Sequence, residues 1–366
     1  MKGTFWVFCL VLTNITYSQN SLKNYYDNVL LAENYIVQEK FDSAVYHYDI
    51  AFENKKHPFA CDVENALFSI SRLPNFSVEK SKSYIELLSY QISKDLLKKL
   101  NIDTNLTTYS INMIDEKTRM IVYDSINQMI KIDQEARKSS KTGEEYWNNL
   151  DIIDSQNIRR FKELLKQYDL LDDRLILYNK YDISLLFNHW LGDKDFRQYI
   201  YPLMLKAVKS GKMDARYYSE IVDYFNYRSN ATYSPDYGTM SLKIYFTNNN
   251  KLLLDSVYNG YISSVESSKS YFAYFDFSDI LSQSNVINKI NKNRSAIYLG
   301  DILKYMATTL KLYIYRLSNS DFVEIINSRS IYISGFEPNM DLLKDKIAKN
   351  ENLIYYIQSS HDFNIE

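Results

Sequence analysis

At 366 residues, with 46% hydrophobic and 15% aromatic side chains, the chain can form one large or two ordinary domains around a sizeable core, which excludes disorder on a large scale. Its 43 basic residues are interspersed among 45 acidic ones, for a formal net charge of -2. No positive stripe is available to neutralise phosphates, so a nucleic-acid partner is not expected. Only 8 glycines and 5 prolines punctuate runs of Leu, Ile, Tyr and Lys at helical spacing, which predicts a mainly α chain with few tight turns.

Residues 1–18 read as a secretory signal peptide. Lys2 supplies the positive start, Thr4 to Leu12 the apolar core, and Thr16-Tyr17-Ser18 the small residues before a cleavage site. That apolar run is too short to span a bilayer, and no later segment reads as a transmembrane helix of the mature chain. The expectation is an exported protein, periplasmic or extracellular and open to association with the envelope. Removing the leader leaves Cys61 as the sole cysteine. An internal disulfide is then impossible, and packing must hold the fold. Cys61, among apolar neighbours, is expected as a small buried hydrophobe.

Residues 19–100 carry the first periodic region. Leu31, Ala32 and Tyr35 line one predicted helix, and Phe41, Ala44, Tyr48, Ala51 and Phe52 the next, with a break near Glu39-Lys40. Small residues at Ala32 and Ala44 allow two antiparallel helices to approach closely. This spacing resembles a tetratricopeptide repeat, and Ala66 falls one repeat length after Ala32. A second, weaker unit runs from Asp62 to Leu88, turned at Pro74-Asn75. The resemblance implies a surface for a protein partner; the alternative is an element packed within the chain.

The central region, 109–305, holds the polar residues whose spacing suggests a site. In the helix predicted over Glu116 to Ala136, with Met120, Ile121, Ile126, Met129 and Ile130 inward, Asp133 and Arg137 share a face beside Gln134. Asp151, Asp154 and Asn157 form one ridge on the next helix, and its role turns on whether it faces Arg137. Asn188-His189 follows at the end of another apolar run. His189 is the natural general base of a chain with 4 histidines, with a structurally hydrogen-bonded histidine as the plainer reading. His189, Asp193 and Asp195 lack a metal-ligand spacing, so neither metal nor cofactor is expected. Further on stand Asp223, then Tyr237-Gly238-Thr239, where glycine suits an unusual backbone and two hydroxyls flank it.

Asp133-Gln134-x-x-Arg137, Asn157, Asn188-His189, Lys209-Ser210-Gly211, Asp223, Tyr237-Gly238-Thr239 and Asn293-Arg294 with Leu299 together resemble a bacterial family known as domain of unknown function 6624, over roughly residues 115–305. The chain departs from that pattern in having Asn188-His189-Trp190-Leu191 for Gln-His-Ala-Asp, Asp223-Tyr224 for Asp-Arg and Met240 for Gln. The resemblance implies a helical domain preceded by tetratricopeptide-like helices and supplies no established reaction. Gln134, Asn157, Asn188, Gly238, Thr239 and Arg294 enter as ligand-binding candidates, and His189, Asp133, Arg137, Asp223 and Tyr237 as catalytic ones.

The expected architecture is therefore mainly α: tetratricopeptide-like hairpins, an irregular helical domain with minor β, and a C-terminal helix and mixed extension over 306–366. The expected function is an interaction or structural module of the cell envelope. An envelope hydrolase or a small-molecule binder using a polar site around His189 is the alternative.

Overall fold

The computed structural model describes residues 20–88, 92–108, 114–139, 142–176, 180–229 and 284–302, with 236–237, 243–246, 272–274, 304–305, 308–309, 312 and 332–333. The leader at 1–18, Gly238, Thr239 and nearly all of the 306–366 extension lie outside them. The described chain is mainly helical. It divides into two compact units whose segments interleave: a first unit with residues to Tyr25, Ala51–Val63 and Pro74–Tyr218, and a second with Tyr26–Ile50, Glu64–Leu73 and residues from Ser219 onward.

In the second unit, α1 (20–36) turns through Glu39, at φ 56°, into α2 (Phe41–Glu53). The turn closes with Glu39 N–H donating to the Ile36 carbonyl at 2.9 Å and Lys40 N–H to the Tyr35 carbonyl at 3.0 Å. Ala32, Ile36, Ala44 and Tyr48 are fully buried. His47 Nδ1 meets Asn28 Oδ1 at 2.9 Å, and its ring stacks on Tyr35 at 5.3 Å. Leu31 departs from its expected inward place and is 43% exposed, because α1 turns Val29, Ala32 and Ile36 inward instead. Helix α3 (Ala60–Ser71) begins in the first unit's Ala51–Val63 segment and ends in the second's, and α4 (Val78–Ile85), α5 (Lys94–Lys99) and a 3-10 turn at Thr104–Thr108 belong to the first unit. Helix α5 carries Leu96 and Leu97, and the polar stretch Asn101 to Thr108 follows it. Ser81, in the second and weaker unit of the repeat-like region, is buried with its hydroxyl donating to the Ser77 carbonyl at 3.0 Å.

In the first unit, α6 (Glu116–Arg137) and α7 (Gly143–Gln167) form an antiparallel hairpin. Asp115 caps α6, accepting from Thr118 N–H at 2.9 Å. Gly143, at φ 63°, starts α7 in a conformation that a side chain would strain. The inward stripe of α6 is Val122, Ile126, Met129 and Asp133; Met120 at 48% and Ile121 at 38% face solvent instead of the core. On α7, Leu150, Ile158, Phe161 and Leu164 are buried as their spacing predicts.

After α8 (Asp173–Ile176), α9 (Lys180–Trp190) packs against this hairpin and α10 (Lys194–Lys209) meets it through Phe196 on Phe161; Asp193 caps α10, accepting from Phe196 N–H at 2.8 Å. Phe161, Phe187, Trp190 and Phe196 make the centre, with ring centroids 5.5–6.3 Å apart. Such tilted and edge contacts add to the apolar burial of the rings. Helix α10 ends at Gly211, at φ 70°, where Lys212 N–H reaches back to the Ala207 carbonyl at 2.9 Å. A Cβ there would stand 3.0 Å from Leu22 Cδ2.

Helix α11 (Ala215–Ser229) leads on toward α12 (Ser284–Ser295) in the second unit. Three very short strands, β1 (Lys243–Phe246), β2 (Phe272–Tyr274) and β3 (Tyr332–Ile333), pair in the order β2-β1-β3, antiparallel then parallel. They leave the helical class unchanged. Among the described residues no helix is long and apolar enough to cross a membrane.

Candidate functional site

Asp133 lies at the fourth position of the buried α6 stripe, where an apolar residue is the rule, and its side chain is sealed from solvent. An unpaired carboxylate there would be costly, so the partners decide its state. Gln134 Nε2 donates to Oδ2 at 2.9 Å and Arg137 Nε to Oδ1 at 3.0 Å, while His189 Nδ1 meets Oδ1 at 3.0 Å. Arg137 also reaches across to α7, its Nη2 donating to both oxygens of Asp154 at 3.0 Å. The cluster joins α6, α7 and α9 through side chains that are about one-fifth exposed apart from Asp133.

Burial pushes the Asp133 carboxyl up, and the hydrogen bonds from His189, Arg137 and Gln134 outweigh it, so its pKa sits below the ordinary value. For Asp154, burial outweighs the attraction of Arg137 and the pKa is raised. Arg137 itself is raised, its hydrogen bond and charge contacts with the two aspartates overcoming burial. An ionised Asp133 can only accept, so Nδ1 of His189 carries the proton of that hydrogen bond. Nε2 has no hydrogen-bonding partner among the described residues.

Asp151, Asp154 and Asn157 run from solvent into the core. Asp151 is exposed, Asp154 half-buried against Arg137, and Asn157 buried with Nδ2 donating to the Met129 carbonyl at 3.2 Å. Asn188 is half-buried on α9.

Asp223, Tyr237 and Arg294 belong to the second unit and form a different arrangement. Asp223 Oδ1 accepts the backbone N–H groups of Asp236 and Tyr237, each at 2.9 Å. Arg294 donates from Nη1 to the Tyr237 carbonyl at 3.1 Å and from Nε to the Gly300 carbonyl at 2.7 Å, and lies 4.4 Å from the Tyr305 ring centroid. Asn293 adds a bond to the Asp236 carbonyl at 3.0 Å. These side chains clamp backbone. Gly238 and Thr239 are outside the described residues.

A third cluster escaped the reading of motifs. Arg216 is buried in the first unit, donating from Nη1 and Nη2 to Asp62 at 2.8 and 2.7 Å and from Nε to Asp214 at 2.9 Å. The Tyr25 hydroxyl also donates to Asp62 and accepts from Phe59 N–H at 3.0 Å. Lys55 Nζ donates to the Gly211 carbonyl at 2.8 Å and lies 4.1 Å from the Phe59 ring centroid. Cys61 is half-buried and not the apolar core residue expected; Arg216 Nη2 donates to its sulfur at 3.4 Å. The available signal was Asp62 and Asp214-Ala215-Arg216 standing among apolar residues, but no local spacing connects positions so far apart.

Among the described residues no group of three His, Cys, Asp or Glu side chains is arranged to hold a metal ion. No family model, curated protein or solved structure matches the chain.

Proposed function

We propose that the chain is an exported interaction or structural protein of the cell envelope, belonging with the domain of unknown function 6624 proteins, and that its Asp133 cluster clasps three helices. The carrying observation is the closed accounting at Asp133: both carboxylate oxygens are occupied by Arg137, Gln134 and His189, and Arg137 is committed to two aspartates. With the arginine neutralised, developing negative charge on a substrate would find no free cation in the cluster. The tetratricopeptide-like hairpin and the leader-like residues 1–18 support partner binding after export.

A second reading rests on His189 alone. Anchoring Nδ1 on a carboxylate leaves Nε2 as a proton acceptor, as a hydrolase or a small-molecule site would require. Purified protein assayed against ester, phosphoester, amide and glycoside substrates discriminates the two. The clasp predicts no turnover above buffer; turnover that His189→Ala abolishes without unfolding the protein would replace the proposal. For export, the full chain expressed in a bacterium should yield a mature protein beginning at Gln19 outside the cytoplasm. Retention of Met1 with cytoplasmic location would remove that part.

A further inference from the structure

The start of α7 presents an indole to solvent without an apolar need inside the fold. Trp147 is 63% exposed, with Tyr146 edge-on to it at 5.1 Å. Glu144, three residues before Trp147, and Asp151, four after it, lie on neighbouring parts of the helix surface, about 5–6 Å away at Cβ. Both are exposed and have no ion pair among the described residues. The helix dipole accounts for Glu144 in the first turn, but it does not reach Asp151 or explain the exposed rings. Arg137, whose carbonyl accepts from Tyr146, is already committed to Asp133 and Asp154.

We propose that this face of α7 docks a basic, amphipathic segment of a partner protein. A lysine or arginine of that segment lies over the Trp147 indole between the Glu144 and Asp151 carboxylates, and an apolar residue beside it packs along the Tyr146–Trp147 ring pair. Ring face and carboxylates both attract a cation, and the paired Tyr146 and Trp147 rings supply area to be buried. The proposal rests on the interaction reading and assigns it a surface separate from the N-terminal hairpins.

The test is fluorescence anisotropy of the full chain with a labelled peptide of lysine and leucine at helical spacing, about four turns long. Binding should weaken about tenfold for Trp147→Ala, the scale of losing a central aromatic anchor. It should weaken several-fold for the Glu144→Gln and Asp151→Asn pair, and fall in about 0.5 M salt. These exposed substitutions should leave the thermal melt unchanged. No binding, equal binding by all variants, or equal binding of a glutamate–leucine peptide would overturn the proposal. So would self-association that Trp147→Ala disperses, since a second copy would then cover the face. Failure here leaves the hairpins as the partner surface, whereas His189-dependent turnover removes the interaction reading itself.

Discussion

Lys55 is placed among more negative than positive groups yet is pushed down to about 8, because burial outweighs the attraction of Asp173, Asp172, Asp214 and Asp62. A base whose folded pKa lies below its ordinary 10.5 binds fewer protons folded than unfolded between those values, so its contribution to stability rises with pH there. Tyr25 is pushed above 10.0 by burial and by Asp62, which reverses the sign above that value. Chemical denaturation between about pH 8 and 10 should therefore show an upward slope of at most about 1.4 kcal/mol per unit, flattened in Lys55→Met. An identical slope in the variant would contradict the assignment. Arg216→Met, which strands Asp62 and Asp214 in the interior, should cost about 3–5 kcal/mol in the same assay, and a loss under about 1 kcal/mol would show that the carboxylates find other partners.

At the scale of the element, α6 makes the sharpest comparison. Ile126→Ala should destabilise by about 2–4 kcal/mol and Ile121→Ala by less than about 0.5, although both looked inward by spacing. Equal losses would show that Ile121 is covered. Gly211→Ala combines a left-handed backbone with a Cβ 3.0 Å from Leu22 and should cost about 1–3 kcal/mol; a neutral melt would mean the helix end relaxes freely. Helix existence on α6, α7, α9 and α10 was legible from the apolar period, and on α6 and α10 an aspartate caps the start as well. Their orientation was less so: α6 carries apolar residues on two faces, and Asp133, not Ile130, completes the inward one. Asp133, Gln134, Arg137 and His189 could be nominated from charge and helical spacing. The Asp133–His189 and Asp62–Arg216 pairings depend on contacts across more than 50 residues of chain that no local pattern encodes.

For the whole molecule, two carboxylates of the clasp give opposite acid responses. Asp133, held below its ordinary value, contributes stability above that value that is lost as the pH falls through its folded pKa. Asp154, held above its ordinary value, is a liability when charged and is relieved by protonation as the pH falls. Asp154→Asn should therefore be milder than Asp133→Asn at neutral pH, and the reverse order would mean Arg137 depends chiefly on α7. A clasp and a reaction centre also differ in sign, since groups kept for chemistry commonly cost the fold stability. The deciding measurement is the unfolding free energy of Asp133→Asn at pH 7. The clasp predicts a loss of about 3 kcal/mol, because Arg137 and His189 lose the buried charge they share. An unchanged or increased stability would contradict it and return His189 to the position of a catalytic base.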